Sequence, residues 1–401
     1  MKRVLWLCTF SSEEKRSHLQ LWRRQGGESG QWIPSLLSAF ESEGGLELHV
    51  ASTENYMVRS YQAWTSRNIR YHCFKSGVPL IGRNWPACAP VDHMTDFWVN
   101  RRRIRTIVER VKPDLIHLFG VENPQYGAAV LDVLGRTPVL VTIQGFVHRE
   151  RCYHDDYFTG VRCRYERQLL ESCHSFSGDY DSEAVVRAHN PSASYRHLYF
   201  PVNEALIEKV SREKSDEVYD LLFVGALTRQ KGIFDFLDVA RTLVTKGMPL
   251  RAAIVGTPEN CPAAVEQIVR HGLAEHIVWV GRFPTQEGLF RVFRQSKILL
   301  VPTYNDCFPS IIRESMLLRT PVISYATGGI PWVNRTGAVN VELVKQGDWS
   351  GMAAAAATLL GDGPKRSELR ARALAFAREE FSLRANAEVI RKAYWETMEQ
   401  A

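Results

Sequence analysis

The sequence predicts an α/β protein with two doubly wound parallel sheets that follow one another along the chain. Short apolar runs alternate with amphipathic stretches of helical length, which is typical of parallel sheets covered by helices. The alternation starts afresh after a charged stretch at residues 211–218. A length of 401 residues is long for one hydrophobic core and suits two domains. We therefore expect two Rossmann-like domains of similar size.

Each element is predicted from an apolar run of strand length or from an amphipathic stretch bounded by turn residues. In the first half, the predicted strands are 4–8, 46–51, 69–74, the end of 112–120 and 138–143, and the predicted helices are 32–40, 97–111 and 124–134. In the second half, the predicted strands are 220–225, 250–256, 277–281, 298–302 and 321–325, and the predicted helices are 233–246, 288–296, 349–360 and 384–399. We predict an N-terminal domain over 1–205, a linker over 206–218, a C-terminal domain over 219–380, and a closing helix, 381–401, that packs back on the N-terminal domain.

The composition is 45% apolar and 23% charged, which is ordinary for a soluble globular protein. The net charge of +6 favours anionic partners but is too small to indicate nucleic acid. The eight cysteines are scattered without a CxxC pair, which indicates reduced thiols rather than a disulfide framework or a zinc site. No apolar stretch reaches the ~20 residues that span a bilayer. We expect a cytoplasmic protein with at most peripheral membrane contact.

Two acids lie in a predicted strand-loop-helix unit of the second half. Asp306 is in the loop after the strand 298–302, and Glu314 follows eight residues later on the helix. Since the strand ends of open α/β sheets bind ligands, one carboxylate can accept hydrogen bonds from sugar hydroxyls and the other from a nucleotide ribose. Taken alone, the same spacing suits an acid at a helix start and a solvated helix acid.

The helix between these acids is expected to open at Phe308 and Pro309, because proline is well tolerated in a first helical turn. Its first residues, through Ser310, offer free backbone N–H groups to an anion. The sequence therefore predicts an anion site beside the two carboxylates.

This stretch resembles the donor-binding signature of family 4 glycosyltransferases of the GT-B superfamily. The pattern runs Asp306…Glu314, then TPVI at 320–323 and GGIP at 328–331, with Cys307 where relatives have glycine and aspartate where the first acid is usually glutamate. The resemblance implies a GT-B architecture, with a nucleotide-sugar bound by the C-terminal domain at an interdomain cleft. It implies transfer of a sugar from a UDP- or GDP-sugar with retention of anomeric configuration.

The family pattern VGxLxxxKG is also present, ending at Lys231. The resemblance implies that Lys231 pairs with the donor diphosphate and that Gly225 lines the donor site. Many relatives have an arginine at the position of Ala226, so Arg229 is a candidate replacement. Arg282 follows the strand end where relatives hold the nucleobase. The alternative for Lys231 is an ordinary surface lysine at a helix start. The alternative for Arg282 is an ordinary strand-to-loop turn.

The N-terminal domain supplies weaker candidates. Gly26 and Gly27 lie in a glycine-rich loop after the first strand, which suits close approach of backbone to a phosphate or a sugar. Gln144 stands where many relatives have a histidine that touches the donor sugar, and glutamine can still hydrogen-bond a hydroxyl. Glu122 and His148 are candidates for the acceptor side.

The resemblance implies an acceptor that is a glycan or a polyprenyl-linked lipid, as in the assembly of lipopolysaccharide or capsule. The family requires no DxD metal motif, so we expect metal-independent transfer and no cofactor besides the donor. Four basic residues on one predicted helix are by default a solvated helix face. Together with basic residues of the first loop, they also suit contact with anionic lipid at the inner face of the cytoplasmic membrane, which we state as a hypothesis. The helix residues are Arg101, Arg102, Arg103 and Arg105.

Two other functions are consistent with the same architecture. A non-hydrolysing sugar-nucleotide epimerase shares it, and analysis of products separates the two enzymes. A catalytically inactive GT-B binding subunit is consistent with the departures at Gln144, Ala226 and Asp306. Hydrolysis of a panel of nucleotide-sugars by the pure protein separates that subunit from an enzyme.

Overall fold

The structure is a computed structural model that describes residues 1–22, 30, 32–41, 45–77, 91–149, 151–152 and 155–400. Its internal contacts divide the chain into two units. The first comprises Met1–Pro201 with Leu383–Ala401, and the second comprises Val202–Ser382.

The first unit is built on an eight-stranded sheet in the order β3-β4-β2-β1-β5-β6-β7-β8. Its strands are β1 (Lys2–Cys8), β2 (Leu46–Thr53), β3 (Tyr61–Ser66), β4 (Ile69–Phe74), β5 (Leu115–Phe119), β6 (Val139–Thr142), β7 (Ser175–Gly178) and β8 (Ser194–His197). Neighbouring strands are parallel except for the antiparallel pair of β3 with β4. The first helices are α1 (Glu13–Ser17), α2 (Trp32–Ser38), α3 (Trp98–Val111), α4 (Pro124–Gly127), α5 (Tyr157–Ser172) and α6 (Tyr180–His189).

The second unit is built on a six-stranded parallel sheet in the order β11-β10-β9-β12-β13-β14. Its strands are β9 (Tyr219–Phe223), β10 (Ala252–Val255), β11 (Ile277–Gly281), β12 (Ser296–Val301), β13 (Val322–Tyr325) and β14 (Glu342–Val344). Its helices are α7 (Glu204–Arg212), α8 (Ile233–Thr245), α9 (Pro262–Arg270), α10 (Gln286–Arg294), α11 (Ser310–Leu317), α12 (Trp349–Gly361) and α13 (Gly363–Glu380), and α14 (Leu383–Glu399) belongs to the first unit.

The predicted fold class is confirmed, because both sheets are doubly wound and, apart from the edge strand β3, parallel. The central strands are apolar and buried on both faces, as in β12, where Ile298, Leu299 and Leu300 are fully buried. Counted along the second unit, the strand order is 3-2-1-4-5-6, which is the Rossmann order.

Several element boundaries differ from the predicted ones for local reasons. The helix predicted over 124–134 is α-helical only to Gly127 and continues as a 3₁₀ turn, Ala128–Asp132. The helix expected to open at Phe308 begins at Ser310, because Pro309 has extended backbone angles and precedes the first turn. The stretch predicted as a linker contains α7, whose apolar face packs into the second unit through Ile207 and Val210.

A buried chain of hydrogen bonds fixes α14 to the first sheet. The Trp6 indole N–H donates to the Tyr394 hydroxyl at 2.7 Å. That hydroxyl and the Nδ1 atom of His117 are 2.8 Å apart, and the Nε2 atom of His117 is 2.6 Å from Thr142 Oγ1. Because indole is only a donor, the Tyr394 hydroxyl accepts from Trp6, and its own proton is available to Nδ1 of His117. Burial holds the pKa of His117 well below its usual range, so the ring stays neutral.

Candidate functional site

The loops after β9 and β12 lie at the switch point of the second sheet. These strands are neighbours, and the chain continues from β9 to β10 on one side and from β12 to β13 on the other. Open α/β sheets bind ligands outside the carboxyl ends of strands at such a point. Here the two loops are residues 224–232 and 302–309.

A pocket of about 220 Å³ opens between these two loops and the start of α11, and we name it the switch-point pocket. It brings together six of the residues predicted to bind a donor, from three separate segments. They are Gly225, Lys231, Asp306, Phe308, Pro309 and Ser310.

Lys231 and Asp306 form an ion pair across the pocket. The Lys231 ammonium donates to Asp306 Oδ2 at 2.6 Å and approaches the carbonyl oxygen of Asn305 at 3.4 Å. The two side chains are 32% and 23% exposed, so both can reach a ligand in the pocket. The ammonium is thus held in place before any anion binds, and an anion would compete with Asp306 for it.

Gly232 lets the loop that carries Lys231 lie against the loop after β12. It has a φ of 79°, and a Cβ atom there would overlap the carbonyl group of Pro302. The Tyr304 backbone N–H donates to the carbonyl oxygen of Gln230 at 2.8 Å. Only glycine adopts the left-handed backbone easily and also allows the close approach. This explains why Gly232 follows Lys231 in the motif.

The glycine pair of the GGIP turn supports the loop that carries Asp306. A Cβ atom on Gly328, whose φ is 53°, would overlap the carbonyl oxygen of Asp306. The next N–H, that of Gly329, donates to the carbonyl oxygen of Cys307 at 2.6 Å. The turn therefore fixes the position of the backbone that carries the Asp306 carboxylate. Neither glycine lines the pocket itself.

Asp235, a residue that the sequence analysis missed, holds the same loop, 302–309, by a hydrogen bond to Tyr304. Asp235 Oδ2 accepts hydrogen bonds from the hydroxyls of Tyr304 and Tyr325, at 2.7 and 2.6 Å. It lies in the first turn of α8, where an acid is common because it favours the helix dipole. Its sequence position gave no other signal.

Glu314 is buried in α11 and is only 6% exposed. Burial raises the pKa of Glu314 to about 7, and the neighbouring Arg313 guanidinium lowers it in part. The Gln286 side-chain amide donates to Glu314 Oε1 at 3.4 Å. The alternative of a solvated helix acid is wrong for this residue. Glu314 does not line the switch-point pocket, so its contact with a donor stays a prediction.

The two arginines predicted near the donor are exposed and lie outside the pocket lining. The Arg229 guanidinium lies over the Phe234 ring at 5.0 Å. Arg282 follows the end of β11. Their proposed roles, in place of the arginine missing at Ala226 and beside the nucleobase, stay predictions.

The candidates of the first unit lie after its central strands. Glu122 follows β5 and accepts a hydrogen bond from the Asn123 side-chain amide at 2.9 Å. Gln144 follows β6 and is half-buried. The His148 ring is 2.6 Å from the buried carboxylate of Glu166, which sequence reasoning did not single out. Gly26 and Gly27 lie outside the described residues.

Asp156 and Arg101 of the first unit make contacts that support the fold. Asp156 caps α5 by accepting from the Thr159 N–H at 2.7 Å. On α3, Arg101 forms ion pairs with Asp96 and Asp132, whereas Arg102 and Arg105 are exposed. Across the described ranges, no group of three or more His, Cys, Asp or Glu residues is arranged to hold a metal ion. Within the same ranges, no helix is both long and apolar enough to span a bilayer.

The second unit matches a known family over most of its length. Residues 206–376 match the family described as "Glycosyl transferases group 1". The match covers 171 of the 401 residues. This stretch contains every residue that lines the switch-point pocket.

Curated relatives extend the likeness beyond residues 206–376. A protein of Corynebacterium glutamicum named D-inositol 3-phosphate glycosyltransferase is 29% identical over 313 residues, which are 71% of this chain and 73% of that protein. Relatives of the same name from Corynebacterium efficiens and Nocardia farcinica match over 55% and 36% of their length.

Solved structures show that this chain has the GT-B fold. Sucrose-phosphate synthase of Thermosynechococcus elongatus superposes with a TM-score of 0.72 at 16% identity and covers 100% of both chains. The Anabaena protein HepE in complex with UDP and glucose gives a TM-score of 0.66 at 14% identity, covering 99% of this chain and 100% of that one. At these identities the likeness establishes the fold alone.

Proposed function

We propose that this protein transfers a sugar from a nucleotide-sugar, bound at the switch-point pocket, to a hydroxyl group of an acceptor. The observation that carries the proposal is the meeting of Lys231, Asp306 and the start of α11 in one pocket of the stretch that matches group 1 glycosyltransferases. A cation and free helix N–H groups suit a diphosphate, and a carboxylate suits sugar hydroxyls.

The reaction places its largest change in charge on the donor diphosphate. The bond between the anomeric carbon and the phosphate oxygen breaks, and its electron pair stays on that oxygen. The Lys231 ammonium stabilises this charge more strongly in the transition state than in the bound donor, which is the condition for accelerating the step. The Asp306 carboxylate then turns from Lys231 toward the sugar hydroxyls. The acceptor oxygen bonds to the anomeric carbon with retention of configuration, and the acceptor hydroxyl proton passes to a phosphate oxygen.

The donor is proposed to be a UDP- or GDP-sugar, and transfer is proposed to need no metal ion. UDP bound to HepE, a neighbour of the same fold, supports a uridine donor as the first to test. Glu314 is proposed to hold the nucleotide ribose, and Arg229 and Arg282 to contact the diphosphate and the base.

The acceptor is proposed to be a glycan or a polyprenyl-linked glycan of cell-surface polysaccharide assembly, held by the first unit near Glu122 and His148. The relatives named D-inositol 3-phosphate glycosyltransferase make a phosphorylated cyclitol a second acceptor class to test. Contact with the inner face of the cytoplasmic membrane is proposed through Arg102, Arg105 and Trp98, whose side chains are exposed.

A thermal-shift screen against nucleotides and nucleotide-sugars tests the donor assignment. A ligand at a hundredfold excess over its dissociation constant stabilises the folded protein by ~2.7 kcal/mol, which is a readily measured shift. We expect a shift with one nucleoside diphosphate and its sugar, and slow hydrolysis of that sugar nucleotide by the pure protein. No shift across UDP, GDP, ADP and their sugars would contradict the proposal.

A further inference from the structure

The second unit has another pocket, at the amino ends of its strands, whereas the switch-point pocket lies at their carboxyl ends. It has a volume of about 640 Å³, which is within the range of small-molecule sites. Its walls are the segments just before β9, β12 and β13, together with one face of α13. We name it the arginine pocket, after the residues that give it its charge.

The lining of this pocket is strongly basic. Its charged members are Arg294, Arg319, Arg370, Arg378 and Glu217. Glu217 forms an ion pair with Arg370, and Arg294 donates to the carbonyl oxygens of Val210 and Glu213. These two guanidinium groups are therefore held in place, and the single carboxylate is already neutralised.

The other two arginines have no such contacts. Arg319 and Arg378 are exposed, and among the described residues no hydrogen bond or ion pair is formed by either guanidinium group. Two cations that face one concave surface without counter-charges repel each other, and an anion between them would relieve that repulsion.

The backbone at Arg319 is a second, independent observation. Arg319 has a φ of 62° and follows the last turn of α11, where the Thr320 N–H donates to the Ser315 carbonyl oxygen at 2.9 Å. This left-handed position after a helix is normally glycine or asparagine, because a longer side chain is strained there. A strained residue whose side chain lines a pocket points to a function for that side chain.

We propose that the arginine pocket binds an anion that carries two phosphate groups. The guanidinium fork matches phosphate oxygens in pairs of hydrogen bonds. Arg319 and Arg378 lie on separate elements, so each can meet one phosphate group. The hydroxyls of Ser215 and Ser367 line the same pocket and can donate to the remaining oxygens. The ligand is either a soluble organic diphosphate or a phosphorylated lipid head group.

The arginine pocket and the switch-point pocket are separate sites. Ser310, at the first position of α11, lines the switch-point pocket, and Arg319, just after its last turn, lines the arginine pocket. A helix of this length is about 12 Å long. The two pockets share no lining residue, so both can be occupied at once.

Calorimetric titration of the full chain with inorganic pyrophosphate tests the proposal. Arg319→Gly keeps the fold, because glycine suits the left-handed position, and we expect its melting temperature to equal or exceed that of the unmodified protein. Arg319→Gly and Arg378→Gln should each weaken pyrophosphate binding about 10-fold. Arg372→Gln is the matched control, because Arg372 lies on α13, pairs with Glu368 and does not line the pocket.

The Lys231→Ala variant separates the two pockets. Binding that persists in Lys231→Ala and is weakened in Arg319→Gly supports the arginine pocket. The reverse pattern, or no binding by the unmodified protein, overturns the proposal. Flotation with vesicles of phosphatidylcholine and phosphatidylinositol 4-phosphate, whose head group carries two phosphate groups, identifies the source of the ligand. Flotation that pyrophosphate displaces and Arg319→Gly abolishes indicates a lipid head group, and pyrophosphate binding without flotation indicates a soluble diphosphate.

Discussion

Lys231 is the cation of the switch-point pocket, and its ion pair with Asp306 is one that a bound diphosphate would break. Lys231→Ala should reduce turnover by about 100-fold, the scale of losing one donor aimed at developing charge. The loss should appear more in kcat than in KM, because the charge develops late. Steady-state kinetics with the donor found by screening measures it.

Lys246→Ala is the control for this prediction. Lys246 caps the far end of α8, the helix that follows Lys231, and is exposed. Its removal should leave kcat within twofold, roughly the effect of a neutral surface change. Near-normal turnover in Lys231→Ala would instead mean that the loop 224–232 is only a connector.

Asp306 offers a prediction that depends on the ion pair itself. Asp306→Asn removes the carboxylate that holds the Lys231 ammonium at 2.6 Å. Transfer should fall, because the sugar loses a charged acceptor, but the affinity for the bare nucleoside diphosphate should stay equal or rise, since Lys231 no longer has to leave a partner. Calorimetry with the diphosphate and kinetics with its sugar separate the two effects. A loss of diphosphate affinity would argue against this competition.

Glu314 predicts a pH dependence of stability. Its pKa is about 7 in the folded protein and has the ordinary value of 4.5 when unfolded. Below pH 4.5 the group is protonated in both states. Between pH 4.5 and 7 the unfolded state releases the proton first, so rising pH disfavours folding, by ~3 kcal/mol in total. Glu314→Gln lacks this loss. Its free energy of unfolding relative to the unmodified protein should therefore rise between pH 5 and pH 8, as denaturant titrations at the two pH values would measure.

At the scale of elements, the GGIP turn is predicted to position the Asp306 loop. Gly328→Ala introduces strain at a positive φ and an overlap with the Asp306 carbonyl oxygen. Gly337→Ala introduces similar strain at a φ of 83°, but a Cβ atom there meets nothing within 4 Å. The shared strain should cost each variant about 1 kcal/mol of stability, and Gly328→Ala should lose more because of the overlap. Only Gly328→Ala should also lose donor affinity, by about tenfold or more, in calorimetric titration.

Equal donor affinity in the two glycine variants would show that the turn supports the fold and not the pocket. The comparison is informative because the backbone strain is common to both, so the difference isolates the contact with the Asp306 loop.

The central elements could be predicted from sequence because their apolar runs are buried on both faces. β12 and β13 lie within two residues of their predicted limits. β3 was missed because it is an edge strand of six residues in which no side chain is fully buried. α7 was missed because its charged surface hides an apolar stripe only two buried residues wide, Ile207 and Val210.

At the scale of the whole molecule, the hydrogen bonds of Tyr394 are predicted to stabilise the first unit alone. Tyr394→Phe leaves the Trp6 N–H and the His117 Nδ1 atom buried without this partner, at about 1–3 kcal/mol for each unsatisfied group. Amide hydrogen exchange should accelerate in β5 and β6 but not in β9 or β12.

The neighbouring Trp395 supplies the control, because its side chain is 44% exposed. Trp395→Phe should leave exchange in both units unchanged. Equal acceleration in both units of Tyr394→Phe would contradict the assignment of α14 to the first unit.

The binding sites show where sequence reasoning ends. The switch-point pocket could be predicted because its residues fall in two short motifs, each tied to a strand end. The arginine pocket draws on residues from 215 to 378, and none of its arginines lies in a motif. The burial of Glu314 was likewise hidden, because the helix pattern marks an apolar face but does not reveal what covers the remaining side chains.

The return of α14 to the first unit affects the order in which the protein matures on the ribosome. Synthesis proceeds from the N-terminus at about 5–20 residues per second, and an N-terminal domain normally folds first. Here residues 202–382 separate the first unit from its last helix, an interval of roughly 10–40 s at that rate. During that interval the second unit can fold, whereas Trp6 and His117 wait for Tyr394. The first unit to be translated is therefore the last to be completed, and it is the nascent segment most in need of a chaperone.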